Sequence, residues 1–231
     1  MESLTHVVTH LQNIPLILLP KKRAITVIMR LEENKATVNA LKAQRARLLK
    51  KLTDHEKRAI EGYSNLRELG AGFAMNALLR NSKILVSMNV PVGVARQYIT
   101  DLDSAMAKAP SFPTARVKVL YRGVGAGEVS RWKPGQTKCF KTFLSTSFEP
   151  AHAFMYKKCC VVVIRSAPGA SAKFVYAPRE EELILDRLTK LRLQSVREVT
   201  VTPAFWKHPA YPLLEQMEYA GSVTMYDAVV T

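Results

Sequence analysis

The spacing of apolar residues changes once along this chain, and that change limits the possible folds more than any other feature. In the first half, apolar positions recur at helical intervals. Leu31, Val38, Leu41, Leu48 and Leu49 mark one helix over about residues 24–52, and Ile60, Tyr63 and Leu66 mark the next. Thr53 followed by Glu56 reads as a capping box that starts this second helix, since each side chain can satisfy the other residue's backbone N–H. Two more helices are expected near residues 73–79 and 94–108, ahead of a loop holding Pro110 and Pro113. From Val117 the pattern becomes one of short strands, at 117–121, 139–147, 160–164, 182–185, 196–201 and 222–230. Turn signals such as Lys133-Pro134-Gly135 and Pro168-Gly169 punctuate them. Helices followed by clustered strands predict an α+β fold with a mainly antiparallel core, not the alternating order of a doubly wound sheet.

With 231 residues and 48% hydrophobic content the chain can bury a proper core. Lys and Arg number 34 against 19 Asp and Glu, a net charge of +15 that favours polyanionic surroundings such as RNA or phosphate-bearing ligands. Part of the excess, Lys42, Arg45, Arg47, Lys50 and Lys51, lies on the first long helix. A solvated helix face explains such a run, and contact with an RNA or ribosome-associated partner is the sharper reading, although no aromatic residues interleave to stack on bases. The cysteines, Cys139, Cys159 and Cys160, have no framework spacing, which points to a reducing cytoplasm. The apolar run from Ile14 to Leu19 precedes its basic residues, the wrong order for a secretory signal, and Pro15 and Pro20 bracket it. A soluble, cytoplasmic chain without a membrane partner is expected. His6 and His10 have i, i+4 spacing with nothing to complete a metal site, so no metal is expected.

Three short pieces of the strand half belong together: Tyr121-Arg122-Gly123 at a strand end, Ser145-Thr146-Ser147 inside a strand, and Glu180-Glu181-Glu182 leading into Leu183-Ile184-Leu185. In that order they resemble the Arg, Ser-Thr-Ser, Glu-x-Glu signature of the arginine-type mono-ADP-ribosyltransferases, including bacteriophage host-modifying enzymes and binary-toxin catalytic domains. The resemblance extends from about residue 52 to 186. Leu52, Thr53, Glu56, Ala59, Ile60 and Tyr63 look like the family's opening helix, and Asn76 with Leu79-Arg80 looks like the next. Leu102 to Ala105, Lys108 to Pro110, Phe143-Leu144 and Pro168 to Ala170 continue the match.

This resemblance implies a two-sheet β core behind the helices, with residues 1–51 a basic N-terminal segment and 52–231 the catalytic domain. It implies NAD as substrate, bound without the Gly-x-Gly-x-x-Gly fingerprint that this chain lacks, and an acceptor protein with an accessible arginine. Glu182 would face the positive charge that develops on ribose as the glycosidic bond opens. Arg122 would bind the phosphate region through its planar donor fork, and Ser145 would orient Glu182. Gly123, Thr146, Asn76 and Arg80 complete the implied NAD contacts. Glu180, two residues before Glu182 on an extended segment, would project to the same side and serve the guanidinium acceptor. Residues 172–179 would form an acceptor-recognition loop, with Phe174 and Tyr176 as contacts. A rival from another class is a basic RNA or ribosome adaptor on a degenerate scaffold, and NAD hydrolysis without an acceptor is a third reading.

Overall fold

In the computed structural model the described residues are 21–64, 71–80, 90–154, 160–178, 182–201 and 221–231. Four helices lead: α1 (Lys21–Leu49), α2 (Asp54–Ser64), α3 (Ala71–Leu79) and α4 (Val92–Lys108). The capping box forms as expected, with Thr53 N–H donating to Glu56 Oε2 at 2.7 Å and Glu56 N–H to Thr53 Oγ1 at 3.3 Å. Glu56 also accepts from Ser104 Oγ at 2.6 Å and Lys108 Nζ at 2.5 Å, so one buried carboxylate ties α2 to α4. Gly72 lets α3 approach α2, because a Cβ there would lie 2.5 Å from the Tyr63 carbonyl oxygen. Leu41 of α1 enters the main core, and Leu48 and Leu52 pack with the helices.

The strands are β1 (Ser111–Phe112), β2 (Leu120–Val124), β3 (Thr137–Cys139), β4 (Leu144–Ser147), β5 (Cys160–Ser166), β6 (Ala172–Ala177), β7 (Glu182–Leu185), β8 (Lys190–Val201) and β9 (Gly221–Val230). Their hydrogen-bonded order is β1-β6-β7-β4-β2-β5-β9-β8-β3, antiparallel except for the β5–β9 pair. One register pair, Tyr121 with Ser147, joins β2 to β4. The sheet therefore has two arms that share a single seam, which is the physical content of a two-sheet core. Two short helices, α5 (Ala126–Val129) and α6 (Pro150–Phe154), follow β2 and β4.

One face of the curled sheet forms the main core, where Leu120, Leu144, Ile164, Phe174, Leu183 and Leu185 are fully or almost fully buried. Helices α2 to α4 cover the other face of the β4–β7–β6 arm through Ala59, Ile60, Met75 and Leu102 against Phe143, Val175 and Ile184. Burying several such side chains, at roughly 1.5–3 kcal/mol each, holds the helical layer against the arm that carries Glu182.

Two strand expectations need correction. Residues 139–147 are not one strand: Thr137–Cys139 pairs with β8 and Leu144–Ser147 with β2 and β7, at distant places in the sheet, and Phe140 and Phe143 between them fill two different cores. The loop expected over 172–179 is not seen from 172 to 177. Ala172–Ala177 is β6, paired with β7 from Phe174 opposite Leu185 to Ala177 opposite Glu182.

Candidate active site

The site forms where the two arms part. Beyond the Tyr121–Ser147 pair the ladder between β2 and β4 ends, and the Arg122 side chain crosses the gap. Its Nη1 donates to the Ser145 carbonyl at 2.9 Å, and its Nη2 pairs with Glu128 Oε1 of α5 at 3.2 Å. The Arg122 side chain is 12% exposed, and its Nε is buried with no hydrogen-bond partner. The donor fork thus has two defined protein partners, and its buried Nε–H makes no hydrogen bond. Glu128 is a site residue that the sequence did not single out. It lies in a Gly-rich stretch after β2, and only folding carries it beneath Arg122.

Glu182 opens β7 and is 6% exposed. It lies between Ser147 of β4 and Ala177 of β6 in the ladder. Ser145, expected to orient Glu182, stands opposite Ile184, so Ser147 is the serine directly across from the carboxylate. Ser147 Oγ also accepts the Glu149 N–H at 3.0 Å and contacts His152 Nδ1 at 3.1 Å. Ser145 meets Arg122 through its backbone carbonyl. Thr146 points to the other face of β4, buried, and donates to the Leu183 carbonyl at 2.6 Å. That bond fastens β4 to β7 and turns the hydroxyl away from the side shared by Ser145 and Ser147. Gly123 continues β2 beside Arg122 and pairs with Val161.

From the helical layer, Tyr63 and Asn76 reach the start of β4. The Tyr63 hydroxyl donates to the Phe143 carbonyl at 3.2 Å and accepts from Asn76 Nδ2 at 3.0 Å. Burial, and next the negative charge of Glu182, push that hydroxyl well above its ordinary pKa, while Arg122 and Arg80 pull the other way. Arg80, just past α3, is exposed.

Other expected residues lie elsewhere. Phe174 and Tyr176 are 1% and 3% exposed in the main core, because their places on β6 face Leu183 and Leu185. Buried rings offer an acceptor protein no surface. Residues 179–181, including Glu180, lie outside the described residues. Cys160 is buried and Cys139 exposed. No grouping of three or more metal-binding side chains occurs among the described residues, and no described helix is long and apolar enough to cross a membrane.

The sequence model of the ADP-ribosyltransferase exoenzymes matches residues 39–208. The chain belongs to this family. Its match begins inside α1, in keeping with the burial of Leu41 and Leu48. Among solved structures, this ADP-ribosyltransferase is similar to the ADP-ribosylating toxin BECa of a Clostridium perfringens binary enterotoxin, solved with NADH. The TM-score is 0.61 at 20% identity, over 84% of this chain and 47% of that one, so the chain spans under half of BECa. It is also similar to Plx2a, an ADP-ribosyltransferase toxin from Paenibacillus larvae, with a TM-score of 0.58 at 17% identity over 87% of this chain and 96% of that one. A third likeness is to Vis from Vibrio splendidus, solved with agmatine, at a TM-score of 0.56 and 16% identity over 85% of each chain. No curated protein matches by sequence. The structural likenesses establish the fold, and NAD is the substrate of ADP-ribosyltransferases of this family. Arg122 Nε and Asn76 Oδ1 are both buried without a hydrogen-bond partner.

Proposed function

We propose that the chain transfers ADP-ribose from NAD to arginine side chains of target proteins, with residues 52–231 as the catalytic unit. The observation that carries this reading is Glu182, a buried carboxylate directly across the ladder from Ser147 on the strand pair whose Ser145 carbonyl receives Arg122. As the glycosidic bond breaks, nicotinamide leaves with the bonding pair and positive charge develops at the ribose carbon. Glu182 stabilises that charge in a largely dry setting where a carboxylate is most effective. A guanidinium nitrogen of the acceptor then bonds to the same carbon and gives up a proton. A guanidinium is almost fully protonated at neutral pH, so it needs a carboxylate to orient it and take that proton. We assign this duty to Glu180, and phosphate binding to Arg122. Vis has been solved with agmatine, itself a guanidine, which supports a guanidinium acceptor.

We assign the setting as a phage enzyme that modifies translation or RNA-associated proteins of its host, which the net charge of +15 supports. A secreted or injected bacterial toxin is the second reading, favoured by the toxins among the structural neighbours. Incubating bacterial lysate with labelled NAD and mapping modified peptides by mass spectrometry tests both. ADP-ribose on arginines of RNA-associated proteins is the expected result. Arginine labelling confined to eukaryotic lysate supports the toxin setting, whereas nicotinamide release without labelled protein refutes transfer.

A further inference from the structure

Ser147 sits at the seam of the two arms, opposite Tyr121 on one side and Glu182 on the other. The chain that follows closes a small ring on its hydroxyl oxygen. Glu149 N–H donates to Ser147 Oγ at 3.0 Å, and His152 N–H donates to the Glu149 carbonyl at 3.3 Å. The His152 imidazole then returns to the start, with Nδ1 3.1 Å from Ser147 Oγ. Ala153, the next residue, is buried among Val161, Val163 and Met225, which anchors α6 and with it the imidazole. Ser147 is 4% exposed and His152 half-buried.

The hydrogen-bonding capacity of Ser147 decides on which side of the Nδ1–Oγ contact the hydrogen lies. A hydroxyl donates once and accepts twice, and a carboxylate only accepts. Directly opposed residues of an antiparallel pair share one face, with Cβ atoms about 4.5–5.5 Å apart, so Ser147 Oγ stands within reach of the Glu182 carboxylate. If Nδ1 accepted, Ser147 would spend its hydrogen on the imidazole and turn a lone pair toward a buried anion, which is costly. If Nδ1–H donates, the lone pairs of Oγ serve His152 and Glu149, and the hydrogen turns to Glu182. Resting on the reading of Glu182 as the anion that faces the ribose, we propose that His152 is a positioning residue whose Nδ1–H donates to Ser147 and so directs the Ser147 hydroxyl to Glu182. His152 acts through Ser147 and needs no contact with NAD. A charge-assisted hydrogen bond to one carboxylate oxygen fixes the direction in which the other meets the developing charge.

Two measurements on the full chain test this. Long-range proton–nitrogen NMR of the isotope-labelled protein reads which ring nitrogen of His152 carries hydrogen, without any turnover. A hydrogen on Nδ1 is expected, and an unprotonated Nδ1 overturns the proposal. The second measurement follows nicotinamide release from NAD by wild type, Ser147→Ala, His152→Leu, His152→Asn and the Ser147→Ala/His152→Leu double variant, with thermal melting as the report on folding. Ser147→Ala and His152→Leu should each lower kcat roughly tenfold and leave the KM for NAD nearly unchanged, the loss of one orienting hydrogen bond to a charged group. The double variant should be no slower than Ser147→Ala alone, because nothing remains for His152 to orient. His152→Asn, whose amide can donate from near the Nδ1 position, should recover most of the loss. A lowered melting temperature with kcat unmoved would make His152 merely structural and overturn the proposal. Multiplying penalties in the double variant, or no recovery with Asn, would also overturn it. Glu182→Gln run in parallel keeps the two readings apart: nearly normal release there sinks the underlying mechanism, while the NMR result still decides the direction of the His152–Ser147 bond.

Discussion

Replacing Glu56 by Gln tests whether one buried carboxylate fastens the helical layer that backs the site. Glu56 accepts from the Thr53 N–H at 2.7 Å, Ser104 Oγ at 2.6 Å and Lys108 Nζ at 2.5 Å, with its side chain 4% exposed. Burial alone would raise its pKa. The hydrogen bonds from Lys108, Ser104 and Thr53 outweigh burial and hold it at about 2, against an ordinary 4.5. A carboxylate depressed on folding adds stability that is fully present above its unfolded pKa and disappears as pH falls through the folded value. The full depression corresponds to about 3 kcal/mol. Lys108 is 37% exposed and its contribution is screened, which leaves on the order of 2 kcal/mol. Glu56→Gln should therefore cost about 2 kcal/mol at pH 7, or roughly 4–8 °C in melting temperature. The gap between wild type and variant should close between about pH 4.5 and pH 2. Chemical denaturation across that range is the assay. A gap of constant size down to pH 2, or one below about 0.5 kcal/mol at pH 7, would show that the Glu56 charge does not fasten the layer.

Arg122→Lys keeps the charge but loses the geometry that meets Ser145 O and Glu128 together, so the KM for NAD should rise roughly tenfold or more. Unchanged NAD kinetics would remove Arg122 from the site. Changing Arg45, Arg47, Lys50 and Lys51 to Gln should leave NAD hydrolysis intact and reduce labelling of RNA-associated targets, with the difference from wild type shrinking as salt rises. Equal labelling at low salt would make that surface a solvated helix face.

How much of this was legible in the sequence depends on how local each interaction is. The capping box is written in residues three apart, and it forms. The helices follow apolar periodicity closely, with α4 beginning two residues before its expected start. Strand pairing is non-local, and errors collected there. Residues 139–147 read as one short strand, yet only the tertiary fold sends the two ends to different partners. β6 hid because the family resemblance marked residues 172–179 as a loop, although Phe174, Val175 and Tyr176 are a short β-prone run. At the site, Arg122, Ser145 and Glu182 could be picked out as types in order. Three things could not: that Ser147 stands across from Glu182, that Glu128 holds Arg122, and that Thr146 spends its hydroxyl on Leu183. The first and third are matters of strand register, which a shift of one residue would reverse, and the second is a contact between β2 and α5.

At the heart of the proposed mechanism two carboxylates divide the labour, Glu182 for opening the glycosidic bond and Glu180 for the arginine acceptor. The decisive measurement follows nicotinamide release and ADP-ribosyl-arginine formation side by side in wild type, Glu182→Gln and Glu180→Gln, with circular dichroism as a check on folding. Glu182→Gln keeps the shape and loses the anion, so both products should fall by roughly two to three powers of ten. Glu180→Gln should retain much of the slow nicotinamide release while arginine labelling disappears. Parallel collapse of both products in Glu180→Gln, or undiminished arginine labelling there, would contradict the division.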